Sequence, residues 1–299
     1  MLKYIKPDLL EGQYKSFAKN VAVTKDNFSI KVENTLADME WNHMDQLHRP
    51  YIHHTYEEAV RIALGKEFAV SLTRWKRLPI FITVSDIRIK PGLYYQIMTI
   101  AGLIFVHLVI SMHEENEIVT LNIEWNIVSH KWLKLLHKPL SRKFFKLNTR
   151  LQEEDAQIRT RRYALRKKGY RFASDPVDYL SANLTMRNTI YPALPEAAVI
   201  SLDPLPFNQL TKIELGENVF LLEKQQSGEL LIWPSVCPHE GGDLSAGKVC
   251  KNNQIQCPWH GLRFSAVKLS HQSPAAENYG FSFELQGEKV LVRQHISVI

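Results

Sequence analysis

CPHEGGDLSAGKVCKNNQIQCPWHG, residues 237–261, decides how the C-terminal third of this chain is built. Cys237 and His239 form one arm, seventeen residues follow, and Cys257 and His260 form the second. Each arm therefore offers one thiolate and one imidazole. Two such pairs suit a single asymmetric two-iron cluster, with thiolates on one iron and neutral imidazoles on the other. A Cys₂His₂ zinc finger instead groups its cysteines and then its histidines. A cluster of this kind moves single electrons.

Around these arms lie short apolar or alternating runs, VFLLE (219–223), ELLIW (229–233), FSFEL (281–285) and KVLVRQ (289–294), separated by Gly and Asn. They predict a small all-β domain over residues 196–299. Before it, residues 173–195 carry Pro176, Pro192 and Pro195 among small and polar residues, the profile of a linker. Residues 1–172 read as a mixed domain. Thr55 to Leu64 is expected to be helical, and FAVSLTRW, IFITVSDIRI, LYYQIMTIAG, LIFVHLVISM and IVTLNIEWNIV are expected to be strands. Leu93 to Met112 is uncharged over 20 residues, the length of a membrane span. Its Gly102, its β-branched residues and its strand-like neighbours point instead to two long strands of a curved sheet. From Lys131 to about Gly169 the period becomes helical, with Leu133, Leu136, Leu140, Phe144, Leu147, Leu151 and Ile158 on one stripe. Asp155 falls on that stripe and Glu154 fits it nearly as well. A carboxylate on an apolar stripe needs a compensating partner.

The composition, 45% hydrophobic and 23% charged over 299 residues, is that of a globular chain long enough for two domains. Three cysteines exclude a disulfide framework and suit a reducing compartment; Cys250 lies outside both arms and receives no role. The opening MLKYIKPDLLEGQYKSF lacks a secretory pattern, so a cytoplasmic location is expected. The net charge of +6 is concentrated in Arg159–Lys168, read as a solvated helix face, with docking of an acidic electron-transfer protein as the second reading. No nucleic-acid motif accompanies the run, and neither a nucleic-acid nor a membrane partner is expected.

The arms CPHEGGDLSAG and CPWHGLRF resemble the loops of Rieske domains, over roughly Glu196 to Gln294. Where Rieske proteins of quinol complexes carry a further disulfide, this chain has Gly242 and Trp259, so the resemblance is to the low-potential type of oxygenases and their ferredoxins. Glu240 departs from that pattern, where oxygenase loops often carry a basic residue; it is expected to act on potential or on partner docking.

A second motif lies at Asn42-His43-Met44-Asp45-Gln46-Leu47-His48-Arg49-Pro50-Tyr51-Ile52-His53. Two imidazoles and one carboxylate on one face leave open positions on a non-haem iron for O₂. If the segment is helical, Asp45 and His48 share a face, and Pro50 breaks the helix so that His53 turns back. The stretch resembles the Asn-x₂-Asp-x₂-His-x₄-His motif of Rieske oxygenases. That resemblance implies His48 and His53 as ligands of a mononuclear Fe(II), and Asp45 as the hydrogen-bonded link to a cluster histidine of a neighbouring subunit. It implies Asp155, in Gln152-Glu153-Glu154-Asp155, as the third ligand, and a helix-grip, START-like catalytic domain over Leu36 to Phe172. The fold class expected is thus α+β, a START-like domain followed by the Rieske domain, the reverse of the usual order.

The leading reading is an oxygenase component that hydroxylates, demethylates or desaturates a small, largely apolar organic substrate with O₂. Phe81, Tyr95, Met98, Ile100, Phe105 and Trp125 are candidate pocket residues. No Gly-rich dinucleotide fingerprint is present, so electrons are expected from a separate reductase or ferredoxin. The resemblance implies a homotrimer. The rival reading is a non-catalytic electron carrier or redox sensor with a ligand-binding START-like domain; a basic scaffold docking nucleic acid ranks third.

Overall fold

The computed structural model describes residues 21–76, 81–196 and 198–295. The opening residues on which the leader reading rests lie outside them. The chain divides into two compact units, Met1–Tyr163 with Pro176–Leu184, and Ala164–Asp175 with Thr185–Ile299. The class is α+β, a helix-grip-like sheet with a long helix and then small β-sheets.

In the first unit, strand β1 (Val21–Glu33) is followed by helices α1 (Leu36–Met44) and α2 (Arg49–Ile52). Then come β2 (Tyr56–Leu64), β3 (Phe68–Trp75), β4 (Phe81–Lys90), β5 (Leu93–Ile100), β6 (Ile104–Glu115) and β7 (Ile118–His130). They make one antiparallel sheet in the order β1-β7-β6-β5-β4-β3-β2. The uncharged stretch is the β5–β6 hairpin, turned by Ala101 and Gly102 at positive φ. Thr55–Leu64, expected to be helical, is instead the edge strand β2, paired with β3 and exposing Val60 and Ile62. Its Glu and Ala favour helix locally, and pairing along β3 overrides that preference.

Residues Lys131–Leu136 form a 3₁₀ turn leading into the long helix α3 (His137–Lys167). Polar contacts fasten α3 to the β1–β7 pair. Trp125 Nε1 donates to Ser141 Oγ (3.0 Å), Ser141 donates to Asp26 (2.6 Å), and His137 sits between Thr24 and Ser129. Further along, Arg162 Nε meets Asp38 Oδ1 at 2.9 Å with both side chains fully buried, and its guanidinium lies 4.0 Å over Trp41. This pair ties α3 to α1. Arg159 is buried as well. The basic run is therefore not a uniformly solvated face: the helical period turns Arg159 and Arg162 inward and leaves Lys167 and Lys168 outside.

The segment expected to be a linker is structured. Tyr179–Leu184 is a helix of the first unit, where Asn183 Nδ2 donates to Met44 O (2.9 Å) and Gln46 N donates to Asn183 Oδ1 (3.1 Å). Thr189–Ile190 pairs with Arg171–Phe172 in the second unit. That unit has two four-stranded antiparallel sheets around Phe220, Leu222, Ile232, Phe281, Phe283 and Val292. A three-stranded sheet, Lys248–Cys250, Gln254–Gln256 and Arg263–Ser265, occupies the stretch between and beyond the two Cys/His arms.

Candidate functional site

The two arms fold into the same turn. Cys237 N donates to Gly242 O (2.8 Å) and Gly241 N to Cys237 O (3.0 Å); Cys257 N donates to Leu262 O (2.8 Å) and Gly261 N to Cys257 O (2.9 Å). Gly241 and Gly261 each take the positive φ that closes the turn, a conformation costly for other residues. Gly242 is needed for closeness, since a Cβ there would stand 2.7 Å from Cys257 Sγ. All four candidate ligands are buried, and His239 Nδ1 faces His260 Nδ1 at 3.2 Å. Burial and the neighbouring Cys257 push the Cys237 thiol up, while the hydrogen bond from Cys237 pulls Cys257 down to about 5. A thiolate beside two converging imidazole nitrogens fits a two-iron cluster. The 188–191 segment braces the first arm, with Thr189 Oγ1 on Cys237 O (2.9 Å) and Tyr191 OH on Val236 O (2.7 Å). Glu240 is fully buried and accepts from Asn188 Nδ2 (2.8 Å), which removes it from any docking surface.

In the first unit, α1 is capped by Thr35, whose hydroxyl accepts from Asp38 N, and ends at Met44, so that Asp45 is its extended C-cap. Pro50 does not break a helix; it stands in the first turn of α2, where its missing N–H costs nothing. The segment between is pinned to β4. Asp86, fully buried, accepts from Gln46 Nε2 (2.7 Å) and from Arg49 (3.4 Å). Glu40 anchors α1 from the other side by accepting from Gly92 N (2.7 Å) and Tyr94 OH (2.5 Å).

The result is a convergence of groups 107 positions apart in sequence at the extremes (48 to 155). His48 Nε2 and His53 Nε2 are 3.3 Å apart, and Asp155 Oδ1 stands 3.4 Å from the first and 3.3 Å from the second. Asp155 Oδ1 has no hydrogen-bond partner although it is buried. Three donor atoms in one small triangle are the arrangement of a two-histidine, one-carboxylate facial site. Burial opposes charge on His48, but the nearby Asp155 and Asp45 carboxylates outweigh it and the net shift is upward. On His53 burial prevails and the shift is downward. Burial likewise opposes the Asp155 carboxylate, yet the two imidazoles hold its pKa below the usual range.

Behind each ring lies a second carboxylate. Asp45 Oδ2 is 3.6 Å from His48 Nδ1, and Glu154 Oε2 is 3.1 Å from His53 Nδ1 while its Oε1 accepts from Arg150 Nε at 2.8 Å. The sequence leaves Glu154 and Asp155 as alternatives for one role; the fold gives them two. The signals for Glu154 in the sequence are its near fit to the apolar stripe and Arg150, four residues earlier on the same helix.

A cavity of about 100 Å³ opens beside the three donor atoms, walled by Val84, Met98, Leu108, Ile110, Ile123 and Leu151, with Asn42, His43, Gln96, Asn148 and Gln152 as its polar part. Of the six expected pocket residues only Met98 lines it. Phe81 and Phe105 are exposed and Tyr95 packs edge-on to His107, because strand alternation turns them to the other face. Trp125 faces α3 through Ser141. Among the described residues no helix is long and apolar enough to cross a membrane.

Residues 196–290 match the sequence profile of the Rieske [2Fe–2S] domain, and the C-terminal unit is a domain of that class. With it, the chain resembles the Rieske non-haem iron oxygenases, as its motifs do. The chain is also similar to cholesterol 7-desaturase nvd 1 of Ciona intestinalis, 41% identical over 63 residues, which are 21% of this chain and 13% of that protein. It is similar to cholesterol 7-desaturase of Caenorhabditis elegans, 38% identical over 69 residues, 23% of this chain and 16% of that protein. The matched stretch is thus under a fifth of either relative. Solved structures with some likeness are norcoclaurine synthase from Thalictrum flavum (TM-score 0.35, 11% identity, 41% of this chain and 79% of that one) and a Streptomyces aromatase/cyclase (TM-score 0.37, 15% identity, 46% and 97%).

Proposed function

We propose that this chain is the oxygenase component of a Rieske-type system, acting with O₂ on a small, largely apolar organic substrate by hydroxylation, demethylation or desaturation. Cys237, Cys257, His239 and His260 hold the [2Fe–2S] cluster, and His48, His53 and Asp155 hold a mononuclear Fe(II). The cluster supplies single electrons and the ferrous ion supplies O₂ activation. Electrons come from a separate reductase or ferredoxin, the assembly is a homotrimer, and the location is cytoplasmic.

The observation that supports this reading best is the triangle of His48 Nε2, His53 Nε2 and the unpartnered Asp155 Oδ1. Glu154 orients the His53 imidazole by accepting from its Nδ1–H, which directs its Nε2 lone pair at the centre, and the Asp45 carboxylate stands 3.6 Å behind His48 Nδ1 as an electrostatic partner. The apolar wall of Val84, Met98, Leu108, Ile110 and Ile123 keeps water from the reacting face, and Asn42, His43 and Gln152 offer polar contacts to substrate. The relatives' names point to sterols, whereas a cavity of about 100 Å³ is well under the roughly 300–1,000 Å³ of pockets for drug-sized ligands. This favours a small substrate. The same small volume is the observation that favours the second reading, an electron carrier or redox sensor.

The test is the iron and acid-labile sulfide content of anaerobically purified protein reconstituted with ferrous iron. The expected result is about three irons and two sulfides per chain, falling by about one iron in His48→Ala and Asp155→Ala while the cluster spectrum survives. Two irons in all three proteins would remove the mononuclear site and leave the carrier.

A further inference from the structure

The surface that opens α3 has no part in either site. Between Glu124 and Glu153 the sequence contains no acidic residue, while Lys131, Lys134, Lys138, Arg142, Lys143 and Lys146 are all exposed. Among these cations, large apolar side chains stand in solvent: Trp132 is 66% exposed, Leu135 88%, Leu136 48% and Phe145 47%. Only Leu133 of the 3₁₀ turn is buried. The sheet brings a second set to the same rim. The turn follows His130 at the end of β7, and Ser129 pairs with Ile104 and Val128 with Phe105 at the start of β6. Leu103, 56% exposed, and Phe105, 45% exposed, therefore fringe the turn.

Solvated charge explains the lysines but not apolar residues left this open, which mark an interaction surface. A like-to-like contact between two copies would set six cations against six. The chemistry instead fits a bilayer with anionic headgroups: Trp and Leu enter the headgroup region while the Lys stems reach back to the phosphates. Trp is the side chain most at home at that depth.

We infer that the Lys131–Leu136 turn, the start of α3 and the Leu103–Phe105 rim dock the protein on an anionic membrane surface. The docking is peripheral and needs no spanning segment. It runs against the expectation from sequence that no membrane is involved, and it holds whether the chain is an oxygenase or a carrier.

The experiment is flotation of the full-length holoprotein with phosphatidylcholine vesicles, with and without phosphatidylserine, together with tryptophan emission. The expected result is binding that requires phosphatidylserine, weakens with salt and shifts emission to the blue. Each lysine near such a surface multiplies binding about fivefold, so a Lys131→Gln, Lys134→Gln, Lys138→Gln variant loses on the order of 100-fold. Trp132→Ser with Leu135→Ser loses at least about tenfold. Leu135 is 88% exposed, so its substitution leaves the fold intact, as far-UV circular dichroism and the melting temperature will report. Absence of flotation of the wild type on phosphatidylserine overturns the inference. So does binding that the Trp132→Ser, Leu135→Ser variant retains in full, which makes the target an acidic macromolecule met by charge alone. A change in oligomeric mass of that variant would make the surface a contact between copies and also overturn it.

Discussion

Replacing Glu154 tests the proposed iron site through a residue that is not itself a ligand. Its Oε2 lies 3.1 Å from His53 Nδ1, its other oxygen accepts from Arg150 Nε, and its side chain is 13% exposed. In the apo chain, burial keeps His53 neutral, so the ring has one proton to place. Glu154 places it on Nδ1 and frees Nε2 for the metal. Loss of such a partner typically lowers metal affinity by about 10–100-fold, equivalent to about 1.4–2.7 kcal/mol. The fold itself loses much less. Arg150 is half exposed, so its pair with Glu154 is worth only about 0.3–0.5 kcal/mol. Glu154→Ala is therefore expected to bind Fe(II) about 10–100-fold more weakly with its melting temperature within a few degrees of wild type. Glu154→Gln keeps an acceptor for Nδ1–H and is expected to lose only a few-fold. The assay is anaerobic competition for Fe(II) against a chromogenic chelator, on protein stripped of mononuclear iron with its cluster intact. Equal affinity of Glu154→Ala and wild type would refute the argument, and loss of the cluster spectrum would show damage beyond the site.

Three further outcomes follow from the fold. Arg162→Ala removes the buried guanidinium that faces Asp38 and should cost about 3–5 kcal/mol in chemical denaturation; because the pair joins α1 to α3, mononuclear iron should be lost before the cluster. Gly242→Ala places a methyl 2.7 Å from Cys257 Sγ, and the expected result is a sub-stoichiometric sulfide content with normal occupancy of the first unit's iron. His107, buried beside Tyr95, has its pKa lowered by burial from the ordinary 6.5. The unfolded chain thus takes up the proton first, and the stability this group contributes above about pH 6.5 is lost as pH falls below it. His107→Phe removes that loss. The gap in melting temperature between variant and wild type should move in the variant's favour from pH 7.5 to pH 5.5, and a gap independent of pH would contradict the burial argument.

What the sequence determined by itself is what local spacing dictates. Two arms, each with a Cys and a His within four residues, are written in one short stretch, so the candidate ligands were legible before any tertiary contact, while the turns closed by Gly241 and Gly261 at positive φ came with the fold. The β5–β6 hairpin and the apolar stripe of α3 from Leu140 to Ile158 were legible for the same reason, since their periods, two and near 3.6, are properties of one segment, whereas Leu136, expected on that stripe, lies in the 3₁₀ turn and is 48% exposed. Tertiary structure decided everything that depends on which way a segment faces. Adjacent helix residues point about 100° apart, so the stripe admits both Glu154 and Asp155, and only the position of His53 gives one the ring's Nδ1 and the other the centre. Arg162 looks like a solvent charge until Asp38 and Trp41 are brought to it. Thr55–Leu64 reads as helix until β3 lies beside it, and residues 173–195 read as a linker until Met44 and Gln46 meet Asn183. In each case the partner is distant in sequence, and its hydrogen bonds and buried area outweigh a local preference of only a few tenths of a kcal/mol per residue.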